Sequence, residues 1–131
     1  MMYLLDTNTL IYFFKGEGDV ARHLLNTSPK DLAMPAIVLY ELEYGIAKSS
    51  SPQKRQNQLE EITSQIEIIP FANKEAKVAA AIRAKLEKKG EVIGPHDILI
   101  AGTAVANNKT LVTRNVGEFA RILSLTVESW Y

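Results

Sequence analysis

The chain has 131 residues, 47% of them hydrophobic and 23% charged, which fits one globular domain and excludes both a disordered chain and a disulfide-stapled miniprotein. Fifteen basic side chains balance fifteen acidic ones, so no global positive field advertises a nucleic-acid binder and any such site is local. The absence of cysteine excludes thiolate catalysis, disulfides and cysteine-type zinc sites, and no apolar run approaches the ~20 residues of a membrane span. With no basic leader or small-residue cleavage site around the first apolar stretch, the expected location is the cytoplasm, with no membrane partner.

Residues 2–5 form a short apolar run that reads as a buried strand, and Thr7 to Thr9 supply cap-type side chains for a helix carrying LIYFF. Asp6 falls at the joint, between two apolar runs. The segment 31–35 (DLAMP) reads as a weak second strand, followed by a strongly apolar helix over 36–49 with Glu41 near its middle. The polar stretch 49–58 is a loop entering a helix, with Ser51 as N-cap and Pro52 at the first helical position, and that helix runs to about Gln65.

The segment 66–70 (IEIIP) is a third strand stopped by proline. From Lys74 to Lys89, Ala76, Ala79, Ala80, Ile82 and Leu86 recur at helical spacing, with Gly90 as C-cap. Asp97 opens a further apolar helix, 110–113 (TLVT) is a fourth strand, and NVGEFARIL provides one or two helical turns. Leu125 and Val127 alternate in a closing edge strand. Tyr44, Phe13, Phe14 and Trp130 read as core residues. Strands alternating with helices in this way define a single α/β domain over 1–131 with a mainly parallel sheet, and sites in such sheets form beyond the carboxyl ends of the strands.

That rule gives the acids a destination. Asp6 follows its strand directly, Glu41 projects from the helix after the second strand, Asp97 starts a helix, and Asn115 and Glu118 arrive from the loop after the fourth strand. Clustered carboxylates resist ionisation unless a cation sits among them. Magnesium or manganese, hard ions that take oxygen ligands, suit such a cluster and can activate water for in-line attack on a phosphodiester. Each acid also has a plainer reading: Asp6 and Asp97 as helix caps, Glu41 as part of a solvated face, and Asn115 and Glu118 as a cap and a surface charge. Spacing alone does not choose Glu41 over Glu43, which lie about 200° apart on the helix. His96 beside Asp97 suggests zinc, but with His23 the only other histidine there is no ligand set, and His96 reads as a loop residue.

Four segments, LLDTNTLI, YELEYG, GPHDILIAGTA and LVTRNVGEF, in that order and spacing, together with the ending TVESW, resemble PIN-domain proteins, and most closely VapC-type toxins of bacterial toxin–antitoxin pairs. The resemblance implies a three-layer α/β fold and a magnesium-dependent endoribonuclease, with manganese able to substitute. It also implies a homodimer held inactive by a cognate VapB-type antitoxin, and transfer or ribosomal RNA as substrate. Carried over, Asp6, Glu41 and Asp97 match the family's metal-binding core acids. Glutamate before leucine with glycine four residues later selects Glu41, and Gly45, one turn below it, leaves room beside the carboxylate. Many members carry aspartate where this chain has Asn115, so Glu118 supplies the fourth catalytic acid. Asn8 and Thr113 match the residues that support the first aspartate and the metal. Arg114 and Lys15 are candidates for gripping RNA phosphates.

Two other functions fit parts of this pattern. A haloacid-dehalogenase-like phosphatase also places an aspartate after its first strand, but needs a second where this chain has Asn8. A catalytically degenerate PIN domain that binds RNA or protein without cutting is the alternative that Asn115 favours. P-loop chemistry is excluded, because no glycine-rich GKS or GKT segment follows a strand.

Overall fold

A computed structural model describes residues 2–131. Its centre is a five-stranded, all-parallel sheet in the order β3-β2-β1-β4-β5, formed by β1 (Tyr3–Leu5), β2 (Leu32–Pro35), β3 (Glu67–Ile69), β4 (Thr110–Val112) and β5 (Thr126–Glu128). Leu4 and Leu5 in β1, Ala33 and Met34 in β2, and Leu111 and Val112 in β4 are fully buried, as strands covered on both faces require. The helices that cover them are α1 (Thr7–Lys15), α2 (Val20–Leu25), α3 (Ala36–Ala47), α4 (Pro52–Thr63), α5 (Asn73–Lys89), α6 (Pro95–Ala106) and α7 (Val116–Phe119).

The strand order fixes where a site can form. From β1 the chain steps to β2 and β3 on one side, then crosses to β4 and β5 on the other. Right-handed crossovers therefore put α1 to α4 on one face and α5 to α7 on the opposite face. The contacts agree, since α1 packs on α2 and α3, α3 packs on α4, and α5 lies along α6. The switch point falls between β1 and β4, so the crevice beyond their carboxyl ends is left open between diverging connections. Leu5 pairs with Val112 at that edge, and the Asp6 amide donates to the Val112 carbonyl at 3.1 Å.

Two local features follow from single residues. Gly90 ends α5 in the left-handed conformation (φ 69°), its amide donating to the Glu87 carbonyl at 3.1 Å, as its C-cap position predicts. Glu75 in the first turn of α5 is buried, yet its Oε1 accepts from the Ala72 amide at 3.0 Å and its Oε2 from Asn107 Nδ2 at 2.9 Å. Those bonds, Asn107's above all, hold its carboxyl below the usual carboxylate range.

Several expectations need adjusting. The segment 20–25 is a helix, α2, and Pro29–Asp31 form a 3-10 turn, neither of which was expected. Leu125 stands just before β5 and packs against the core together with Val127, so the closing strand is shorter than the alternation implies. Trp130 is 2% exposed and Phe13 and Phe14 are partly buried, but Tyr44 is 58% exposed, because it projects from the face of α3 that turns away from the sheet. Among the described residues no helix is long and apolar enough to cross a membrane.

Candidate active site

Asp6 is the residue on which the crevice is built. It leaves β1 in extended conformation as the N-cap of α1, 4% exposed. Its Oδ1 accepts from the Thr7 amide and its Oδ2 from the Thr113 hydroxyl, both at 2.7 Å. The plain reading of Asp6 as a helix cap is what the structure shows. Thr113 also accepts from the Asn115 amide at 3.1 Å, which turns its hydroxyl proton toward Asp6. Thr7 and Thr9, expected as caps, are inside the helix that Asp6 caps. The Thr7 hydroxyl donates to Glu41 Oε1 at 2.6 Å, and the Thr9 hydroxyl donates to the Val112 carbonyl at 3.1 Å.

Glu41 reaches the crevice from the second turn of α3, its side chain 29% exposed. Its Oε2 lies 3.3 Å from His96 Nδ1, so the carboxylate is held from two sides. His96, expected in a loop, is in the first turn of α6, with its ring edge-on to Tyr40 at 5.7 Å. Glu43 is exposed, away from Glu41's partners. Asp97 does not open α6: Gly94 is the N-cap and Pro95 the first helical residue, which leaves Asp97 inside the first turn. Proline's missing amide costs nothing there, so the helix starts earlier than an acid cap suggests. Glu118, from α7, accepts from the Gly94 amide at 3.4 Å and lies near enough to Asp97 to raise its carboxyl.

The electrostatics couple all four acids. Burial pushes the Asp97 carboxyl up to about 6, and the charges of Asp6, Glu118 and Glu41 push in the same direction. Burial also raises Asp6, against the bonds from Thr113 and Thr7 that lower it, while Glu41 and Glu118 add further repulsion. Desolvation and like charge thus fall on one small region, which a structural ion pair would have avoided.

These side chains ring the crevice without closing on a point. Among the described residues, no three His, Asp or Glu groups converge tightly enough to grip an ion as they stand. Thr7 and His96 draw Glu41 to one side and the Gly94 amide draws Glu118 to another, as mutual repulsion favours. The donor chemistry nonetheless suits a hard divalent cation: Asp6, Glu41, Asp97 and Glu118 offer only oxygens, and positive charge among them would relieve the repulsion that raises Asp97.

The remaining expected residues are more peripheral. Asn8 is exposed in the first turn of α1, and the bonds to Asp6 come from Thr7 and Thr113 in its place. Asn115 is exposed at the N-cap of α7 and engages through its backbone amide. Arg114 bonds the Tyr12 hydroxyl, its guanidinium 5.3 Å from the Tyr12 ring centre and 5.7 Å from that of Tyr131. Lys15 is exposed at the end of α1. Thr7 and His96 escape a sequence reading because their partner, Glu41, is 34 and 55 positions away, and no short-range spacing reports such a contact.

Comparison with known proteins identifies the family. The PIN domain family model matches residues 3–123, and the chain belongs to that family. Within it, the chain is similar over nearly its whole length to VapC-type proteins. It is 41% identical to ribonuclease VapC2 of Rickettsia felis, with 99% of this chain and 98% of that protein covered. It is 34% identical, at the same coverage, to the tRNA(fMet)-specific endonuclease VapC of Salmonella typhimurium. Among solved structures, VapBC2 from Rickettsia felis bound to a promoter DNA fragment contains a chain that superimposes with a TM-score of 0.90 at 39% identity, with 100% of both chains covered. DNA-bound VapBC from Salmonella typhimurium gives 0.93 at 34%, covering 100% of this chain and 99% of that one.

Proposed function

We propose that the chain is a metal-dependent endoribonuclease, the toxin of a VapBC-type toxin–antitoxin pair. One observation carries the reading: Asp6, Glu41, Asp97 and Glu118 come from four separate elements to the switch point of the sheet, where Asp97 feels the charge of the other three and Asp6 that of Glu41 and Glu118. Asp6, Glu41 and Asp97 would hold magnesium, or manganese in its place, with Glu118 beside Asp97. A divalent ion bound there supplies a lowered water pKa and offsets the charge that develops on a phosphodiester under in-line displacement.

The chain's own residues prepare that chemistry. Thr113 fixes the orientation of Asp6, whose second oxygen is anchored by the Thr7 amide. Thr7 and His96 hold Glu41. Glu118 stands beside Asp97, and its charge is among those that raise the Asp97 carboxyl and that a bound cation would offset. Arg114 and Lys15, both exposed, would take flanking phosphates.

The substrate is RNA, of the transfer or ribosomal kind. A relative named for tRNA(fMet) supports the former. A VapB-type antitoxin is the neutralising partner, the homodimer is the working form and the cytoplasm its place of action. The structural relatives crystallised as VapBC complexes support the antitoxin.

The test is cleavage of total cellular RNA by antitoxin-free protein with magnesium, with manganese and with EDTA, alongside Asp97→Asn. Discrete fragments that need metal and vanish in the variant are expected. An absence of cleavage, together with failure to bind manganese, would favour the degenerate, binding-only domain that Asn115 allows.

A further inference from the structure

Gly45 has no structural explanation of the usual kind. It lies inside α3 with ordinary helical backbone, not in the left-handed region, and a Cβ built on it meets nothing within 4 Å. Neither conformation nor close packing demands glycine, and glycine inside a helix weakens it relative to alanine. What its missing side chain leaves is space. Glu41 and Gly45, on successive turns of α3, and Ser49, just past its end, form one wall of a cavity of about 180 Å³ between α1, α3 and α4. Phe14 contributes an apolar surface, and Lys15 and Arg55 bring positive charge to its lining.

We propose that this cavity is a nucleobase pocket that selects the nucleotide next to the cut. The inference rests on the nuclease reading, because the cavity shares Glu41 with the acid site. An occupant of the pocket is thus continuous with whatever the acids hold. For a polynucleotide that occupant is the base adjoining the reactive phosphate. The size agrees: pockets for drug-sized ligands run from about 300 Å³ upward, so 180 Å³ admits one ring system and excludes a whole nucleotide. The charge agrees as well, since Lys15 and Arg55 flank an apolar slot as a base with its phosphates requires. Arg55 is held by Gln58 at 2.9 Å, so its guanidinium is positioned in advance.

The test uses antitoxin-free protein and a short oligoribonucleotide spanning the cut site, in four arms. Parent and Gly45→Leu each receive the natural oligonucleotide and a copy with an abasic residue beside the cut. Loss of a well-filled apolar contact is worth roughly tenfold or more. The parent's KM should therefore rise about that much on the abasic copy, and Gly45→Leu should show the raised KM on the natural one with little further change on the abasic. Its kcat should stay within about twofold. Gly45→Ala, which only narrows the slot, should give a smaller KM rise and a melting temperature at or above the parent's. Parent and Gly45→Leu cutting both substrates equally well would overturn the pocket and leave the nuclease standing. Unchanged RNA cleavage by Gly45→Leu with loss of antitoxin binding would also overturn it, in favour of a peptide side chain as occupant. A parent that cuts no RNA would overturn the nuclease reading and the pocket with it.

Discussion

The middle and the N-terminus of α6 are built on opposite terms. Midway along it, Gly102 is pressed onto α5 so closely that a Cβ there would stand 2.6 Å from the Ala79 Cβ and 2.8 Å from its Cα. Ile98, Ile100, Ala101 and Ala104 around it are almost wholly buried. At its N-terminus the same helix delivers Asp97 into the field of three other carboxylates. The contact of Gly102 with Ala79 leaves no room for a side chain and involves no charge, whereas the crevice has both. Stability is lodged in the first region. The second carries repulsion that the fold tolerates because something other than folding uses it.

Substitutions should separate the two regions cleanly. Asp97→Asn or Asp6→Asn should lower RNA cleavage on the order of a thousandfold or more, as for removal of one member of a set that works as a unit. Neither should harm the fold, since asparagine also caps a helix and like-charge repulsion is relieved. Toxicity in cells and melting at pH 7.5 check both halves, and full toxicity of either variant would break the assignment. Gly102→Val should do the reverse. Overpacking typically costs about 1–3 kcal/mol, and here the neighbour is backbone as well as side chain. The melting temperature should fall while cleavage per folded molecule at low temperature stays near the parent's.

Smaller effects sharpen the contrast. Thr113→Val keeps the shape but removes the donor to Asp6 Oδ2 and the acceptor for the Asn115 amide. A cost of about 1–3 kcal/mol is expected for the groups left unpaired. Cleavage should fall roughly tenfold, because Asp6 loses one of the two bonds that orient it, and kinetics with denaturant melts measure the two effects.

The smallest effect is on pH dependence. Burial and the neighbouring acids push the Asp97 carboxyl up to about 6 in the folded chain, against an ordinary 3.8 when unfolded. Between those values the folded state holds a proton that the unfolded state has released. The penalty from Asp97 is therefore fully present above about 6 and lifts as pH falls toward 3.8. After discounting for a half-exposed group, about 1 kcal/mol should return between pH 7.5 and 5 in EDTA. In Asp97→Asn that gain should vanish, as melting curves at the two pH values would show.

Much of this was readable in the sequence because it depends on local pattern. The first four strands are short apolar runs next to turn signals, and Asp6 directly follows one of them. Once a parallel sheet is inferred, the carboxyl-end rule brings the acids together without any long-range information. What escaped depends on contacts across the fold. Helix α2 is only Val20–Leu25, too short for its periodicity to stand out from the polar residues around it. The start of α6 at Pro95 was missed because Asp97 offered a more familiar cap. Thr7 and His96, the partners of Glu41, become neighbours only when α1, α3 and α6 are assembled. Gly45 lies between these cases. Its place one turn below Glu41 was visible, but the cavity wall it forms exists only against α1 and α4.

The central claim is that the crevice at the β1–β4 switch point exists to hold a divalent cation. Manganese titration of antitoxin-free protein at pH 7.5, followed by calorimetry and by melting temperature, tests it most directly. Saturable binding that raises the melting temperature of the parent and is lost in Asp97→Asn is the predicted result. An absence of binding heat with no change in melting, or binding that Asp97→Asn leaves intact, would contradict it.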